Sequence, residues 1–209
     1  MLEFSKKAGT ARLFVALLAL VFATSLLALV LHLKAETHGD GDGNEARPSI
    51  AVTVKGGAEA DALARRLHAH LAQQPRDARG WAILARLHFE QDRFADAAQA
   101  YEKALALPSK VANDPAVWCE YADALGMTQG GKLAGKPREI IDRALVLKPN
   151  HPKALEMAGS SEYERGDYAA ALNYWRQLLT ALEPGSQPYQ ELAAAIVRAE
   201  RLAMMQVRR

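Results

Sequence analysis

Cysteine is almost missing from this chain of 209 residues: Cys119 is the single one. One thiol cannot close a disulfide within the chain, so the fold must rest on packing alone in any redox compartment. Its apolar helical setting favours a small buried hydrophobe; the alternative is a mixed disulfide with a partner's cysteine. An excess of charge of one sign is also missing. The 26 Lys and Arg against 24 Asp and Glu leave a net charge of +2, and no basic stripe is interleaved with aromatics. That excludes nucleic acid as a partner, and the basic end Arg208-Arg209 reads as a frayed, solvated terminus. Motifs of chemistry are lacking too. There is no HExxH, no Cys/His cluster and no CxxCH, which excludes a metal centre and covalent haem attachment to this chain. The six histidines, His32, His38, His68, His70, His88 and His151, are scattered. His68 and His70, two apart, fall on different faces of a helix; haem ligation by His68 or His88 is a weaker reading than burial or solvation. Ser160-Ser161 lie inside a helical stretch without the strained turn of a nucleophilic serine. The chain reads as a non-enzyme that needs no cofactor.

One long apolar run is present. Residues 13–33, LFVALLALVFATSLLALVLHL, contain no Asp, Glu, Lys or Arg. As a helix they span about 30 Å, the thickness of a bilayer's hydrocarbon core. The exit His32-Leu33-Lys34-Ala35-Glu36 is a poor signal-peptide cleavage site, so the run reads as an uncleaved transmembrane anchor. Lys6, Lys7 and Arg12 precede it and Glu36, Asp40, Asp42 and Glu45 follow. The positive-inside rule then places residues 1–12 in the cytoplasm and the remainder outside, in the periplasm of a bacterial inner-membrane protein. Residues 34–57, rich in Gly, Asp and Glu, read as a flexible linker; within it, IAVTV at 50–54 is β-prone but too short for a sheet of its own.

From residue 58 onward the periodicity is helical. Leu63, Leu67, His70 and Leu71 share a face of a first helix that stops before Pro75. A spaced pattern then recurs about every 37 residues. Trp81, Ala85, Phe94, Ala97, Tyr101, Ala104 and Pro108 form one copy, with helices at 79–91 and 94–107. Trp118, Ala122, Ala144, Leu145 and Pro149 mark a second over 114–149, opened by Asp114-Pro115 as N-cap and first-turn proline. Gly159, Gly166, Tyr168, Ala171, Trp175 and Pro184 mark a third over 152–184. Small residues stand where helices cross closely, and Trp81, Trp118 and Trp175 fill the space between helices; each large aromatic so buried contributes about 2–3 kcal/mol. A last helix, 187–205, carries Leu192, Ala195, Ile196 and Ala199 on one stripe suited to capping the stack. The second copy's turn is longer by about three residues through Gly130-Gly131-Lys132-Leu133-Ala134-Gly135. Gly126 to Lys132 matches GxxxxGK, but no strand precedes it and no Ser or Thr follows the lysine, so it reads as a glycine-permitted turn and not a phosphate loop.

This spacing resembles the tetratricopeptide repeat (TPR), and the expected fold is all-α: a single N-terminal transmembrane helix followed by a TPR helical-hairpin superhelix over 58–205. Three stretches, YADALGMTQGG at 121–131, RALVLKPNHPKALEMAG at 143–159 and ERGDYAAALNYWRQLL at 164–179, resemble the repeat domain of the CcmI/CycH/NrfG family of cytochrome c biogenesis proteins. The resemblance implies a membrane-anchored protein that captures unfolded apocytochrome c and presents it to the haem ligation (haem lyase) complex. With one membrane helix and no cytoplasmic loop, the layout is closer to the NrfG type than to the longer CcmI type. A scaffold joining translocon or envelope-assembly complexes is the alternative.

In TPR arrays the first helix of each pair lines the concave face. That register selects Arg79, Ala82, Arg86, Phe89 and Glu90 in the first repeat; Ala116, Cys119, Asp123, Gly126 and Met127 in the second; and Lys153, Glu156, Ser160, Tyr163 and Glu164 in the third. The candidate peptide groove is Arg79, Arg86, Phe89, Asp123, Met127, Lys153, Glu156 and Tyr163. Its apolar members are expected to meet an amphipathic client segment, and Arg79, Arg86 and Lys153 its acidic groups.

Overall fold

The structure, a computed structural model, describes residues 57–208. The expected cytoplasmic segment, the anchor at 13–33 and the linker up to residue 56 lie outside the described residues. Among the described residues no helix is long and apolar enough to cross a membrane.

Among the described residues eight helices follow one another: α1 (Gly57–Gln73), α2 (Ala78–Glu90), α3 (Phe94–Ala106), α4 (Pro115–Thr128), α5 (Lys136–Leu147), α6 (Pro152–Glu164), α7 (Tyr168–Leu179) and α8 (Gln187–Val207). Gly57, which composition assigns to the linker, already belongs to α1. The starts follow from capping chemistry. Asp77, Asp114, Asp167 and Ser186 each accept a hydrogen bond from a backbone N–H two or three residues on, which satisfies a donor the helix itself cannot. Pro115 and Pro152 sit in the first turn, where a missing N–H costs nothing.

Helices α2–α3, α4–α5 and α6–α7 pack as antiparallel hairpins, each stacked on the next, with α1 on α2 and α8 on α7. The first helices approach one another across the hairpins, α2 to α4 and α4 to α6, with no comparable approach among α3, α5 and α7. The first helices therefore line the inner side of the curve. The core is alanine-rich. Ala85, Ala97, Ala104, Ala122, Ala124, Ala144, Ala154, Ala158 and Ala171 are fully enclosed, and their small side chains set the close helix crossings that the repeat pattern implies.

The three tryptophans fill gaps as expected, but they also close hydrogen bonds. Trp81 Nε1 donates to the carbonyl of Pro75 at 3.0 Å and Trp118 Nε1 to that of Ala112 at 2.8 Å, each six residues upstream. Trp175 comes from the second helix of its hairpin and lies over Gly159, where a Cβ would overlap its indole Nε1 and Cδ1. The apolar stripe of α8 (Leu192, Ala195, Ile196, Ala199) packs with Leu172, Trp175 and Leu178 of α7. This helix packs on α7 where the first helix of a further repeat would lie.

The long turn of the second repeat spans residues 129–135, against 91–93 and 165–167 in the others, so it is longer by four residues where composition gives about three. Gly130, Gly131 and Gly135 have φ of 72°, 81° and 79°, the left-handed region that side chains avoid. The turn is tied to the protein rather than open to a phosphate. Gln129 Nε2 donates to the carbonyls of Lys132 and Ala134, Leu133 N donates to Glu164 Oε2 at 2.9 Å, and Ser161 Oγ donates to the Leu133 carbonyl. It follows a helix, not a strand.

Candidate peptide-binding face

The inner face places the sequence-selected residues in distinct settings. Arg79, on the first turn of α2, is exposed and forms no ion pair among the described residues. Arg86 lies 2.9 Å from Glu120 Oε2 across the α2–α4 contact, and its side chain is 51% exposed. The buried Tyr101 hydroxyl donates to the same Glu120 oxygen at 3.0 Å. Burial alone would lower the Arg86 pKa, but Glu120 and Tyr101 more than offset it, so the guanidinium stays charged. Burial, with the neighbouring Glu120 charge, raises the Tyr101 pKa strongly and keeps the phenol protonated as a donor.

Phe89 and Tyr163 occupy the same repeat position and behave alike. Each packs edge-to-face on the first residue of the following helix, Phe94 or Tyr168, with ring centroids 5.2 Å apart. Tyr163 also touches Trp175 at 5.5 Å. Both rings are half-buried at hairpin turns. Met127, at the end of α4, is 44% exposed and leaves a polarizable apolar side chain free. Ala82, Cys119 and Gly126 also carry inner-face register positions, yet they are buried. Gly126 is covered by Leu133 and the Lys132 carbonyl. Glu164 is spent on holding the long turn.

Asp123, Lys153 and Glu156 do come together. Lys153 Nζ stands 3.6 Å from Asp123 Oδ2 of α4 and 3.6 Å from Glu156 Oε2 of its own helix. Both distances exceed that of a good charge-assisted hydrogen bond. The Lys153, Asp123 and Glu156 side chains are 35%, 36% and 20% exposed, so the group is partly buried and remains open on one side. Burial raises the Asp123 and Glu156 pKa values despite the lysine beside them. Burial would lower Lys153, but Glu156 and Asp123 outweigh it and its pKa is raised. Glu156 Oε2 is sealed from solvent and makes no hydrogen bond. Cys119 lies beneath, its Sγ 3.8 Å from His151 Nδ1. Burial, reinforced by Asp123, pushes its thiol up to about 12, which makes it an inert packing group, not a nucleophile.

Two of the histidines have structural roles. His88 is buried, and its Nδ1 accepts from Arg93 Nη2 at 2.6 Å. Burial first, and then the Arg93 charge, lowers its pKa and holds the ring neutral. His151 caps α6 through Nδ1. Among the described residues no group of His, Cys, Asp or Glu is placed to hold a metal ion.

Two polar links escape the register argument. Glu120 is one. The other is Glu162, buried on α6, which accepts from Arg138 Nε of α5 at 3.0 Å and from Arg165 Nη1 at 3.0 Å. Arg138 also donates to Asp142 and, at 2.9 Å, to the Tyr174 hydroxyl. Arg86 to Glu120 is a separation of 34 residues and Arg138 to Tyr174 one of 36. Both are close to one repeat length, so pairing complementary polar residues one period apart finds these two; the Arg138–Glu162 link, at 24 residues, falls outside that signal.

A protein-family model described as the cytochrome c-type biogenesis protein H TPR domain matches residues 56–189. The cytochrome c-type biogenesis protein CycH of Pseudomonas aeruginosa is 32% identical over 126 residues, covering 60% of this chain and 30% of that protein. CycH of Rhizobium meliloti is 29% identical over 150 residues, covering 72% and 38%. The formate-dependent nitrite reductase complex subunit NrfG of Escherichia coli O157:H7 is 25% identical over 124 residues, covering 59% and 61%. The alignments thus span about a third of the CycH relatives' length. Among solved structures, MamA superposes with a TM-score of 0.58 at 15% identity, over 72% of this chain and 79% of that one. The first TPR of Spaghetti (RPAP3), solved with an HSP90 peptide, gives 0.52 at 16% identity, over 61% and 93%. These two share the fold.

Proposed function

The chain belongs to the cytochrome c-type biogenesis protein H TPR-domain family, and from that premise we propose that it is a membrane-anchored periplasmic protein that binds unfolded apocytochrome c and presents it to the haem ligation complex. The observation that carries this reading is the family match over residues 56–189. The inner face of α2, α4 and α6 supports it by supplying what a client helix needs: exposed Met127 as an apolar contact, and Arg79 and the Asp123–Lys153–Glu156 group as polar ones. The charged run preceding residues 13–33 and the acidic linker after them support an inner-membrane anchor with the repeats outside. A tethered repeat domain raises the effective concentration of client at the ligation complex, so modest affinity suffices.

The purified full-length chain is expected to bind haem-free cytochrome c with micromolar affinity, about −8 kcal/mol. Folded holo cytochrome should bind at least about tenfold more weakly, a difference of about 1.4 kcal/mol. Equal affinity for the two forms, measured by calorimetry, sinks this reading. Affinity capture from membranes then separates it from a general envelope scaffold: haem lyase subunits and apocytochromes support the first, translocon or outer-membrane assembly proteins the second.

A further inference from the structure

The Asp123–Lys153–Glu156 group is unusual for an ion-pair cluster. Two carboxylates face one ammonium, so when all three are ionised the group carries one net negative charge. Lys153 Nζ hangs between them at 3.6 Å from each and completes a hydrogen bond to neither by ordinary criteria. Glu156 Oε2 is left with no hydrogen-bond donor although it is closed off from water, a state that costs free energy unless a partner arrives. The Glu156 pKa is raised by burial and by Asp123, and the Lys153 pKa is raised by both carboxylates. Together these directions describe a place short of positive charge. Arg86, another inner-face cation, is already held by Glu120 at 2.9 Å. The group lies between α4 and α6, on the face lined by the first helices, and remains partly open.

We propose that the Asp123–Glu156 carboxylate pair is a subsite for a basic side chain, lysine or arginine, of the segment held on the inner face, and that Lys153 is a resident stand-in which the incoming cation displaces. The proposal rests on the groove reading above and deepens it. It also reverses the role that register alone gives Lys153, from a contact for acidic client groups to a competitor for basic ones. The exchange is chemically simple. Lys153 has a flexible four-carbon stem and a compact charge, and it is held by contacts longer than hydrogen bonds, so its ammonium swings into solvent while the client's cation takes both carboxylates. A guanidinium gains most, because its planar fork bridges two acceptors and leaves a donor for Glu156 Oε2.

Three amphipathic helical peptides test this, identical except for a central lysine, norleucine or glutamate, titrated against the full-length chain. The lysine peptide is expected to bind about tenfold more tightly than the norleucine peptide, with the glutamate peptide weakest. Asp123→Asn combined with Glu156→Gln should abolish that order, bringing the lysine peptide's affinity down to that of the norleucine peptide. Lys153→Ala, which removes the stand-in, should tighten the lysine peptide several-fold relative to the norleucine peptide. As a separate single variant it keeps the test decisive if the double variant folds poorly. Loss of lysine-peptide affinity in Lys153→Ala, or equal binding of lysine and norleucine peptides to the unaltered chain, overturns the subsite while leaving the groove intact. Failure of all three peptides to bind, together with failure of haem-free cytochrome c, overturns the groove reading and the subsite with it.

Discussion

At the scale of single residues, Gly159 and Trp175 show how a repeat motif becomes a packing constraint. The indole occupies the space that any Cβ at 159 would claim, and its Nε1 donates to the Glu156 carbonyl at 3.4 Å. Gly159→Ala is therefore expected to destabilise the protein by about 1–3 kcal/mol through overpacking, read as a lowered urea midpoint. Adding Trp175→Leu should make the double variant less costly than the sum of the two single changes, since the clash is gone; strict additivity would remove this explanation. The small-residue position and the aromatic were both legible in the spacing, and so was Cys119 as a packing residue. That the aromatic sits directly on the glycine was not, because nothing in a linear pattern fixes a rotamer. The same limit applies to Phe89 and Tyr163. Their shared register places both on the inner face, and only the fold turns each ring onto Phe94 or Tyr168.

At the scale of elements, the helix boundaries were largely written in capping residues. Asp114-Pro115, the turn at 165–167 and the stripe on α8 all recur where capping chemistry and periodicity put them. The links between hairpins were hidden, because their partners lie 24 to 36 residues apart. The junction of α5 with α6 is the clearest case. Arg138 and Glu162 face each other at 3.0 Å with side chains only 14% and 8% exposed. Glu162→Ala leaves Arg138 without its buried acceptor and is expected to cost about 3 kcal/mol. Joint replacement of Arg138 by Met and Glu162 by Leu should recover a good part of that loss in chemical denaturation. If the double replacement is as unstable as Glu162→Ala alone, the pair is not the unit that matters.

At the scale of the whole molecule, each hairpin among the described residues touches only its neighbours, so stability should spread along the stack in steps rather than collapse at once. Ending the chain after Ser186 removes α8 and uncovers Leu172, Trp175 and Leu178. Amide exchange is then expected to quicken in α7 and α6 while α2 and α3 keep their protection; uniform acceleration throughout would contradict the nearest-neighbour picture. The sequence by itself determined that this is an all-α TPR array, because helical period, small-residue crossings and caps are local and repeat; the likeness to cytochrome c biogenesis proteins came from the resemblance of three stretches, at 121–131, 143–159 and 164–179. Tertiary structure alone decided which charges remain available. Arg86 is taken by Glu120 and Glu164 by the long turn, while Lys153 lies between two carboxylates, one of which has a buried oxygen without a donor. The physical reason is that an ion pair depends on distances of a few ångströms between residues some thirty positions apart, which only the packed hairpins set.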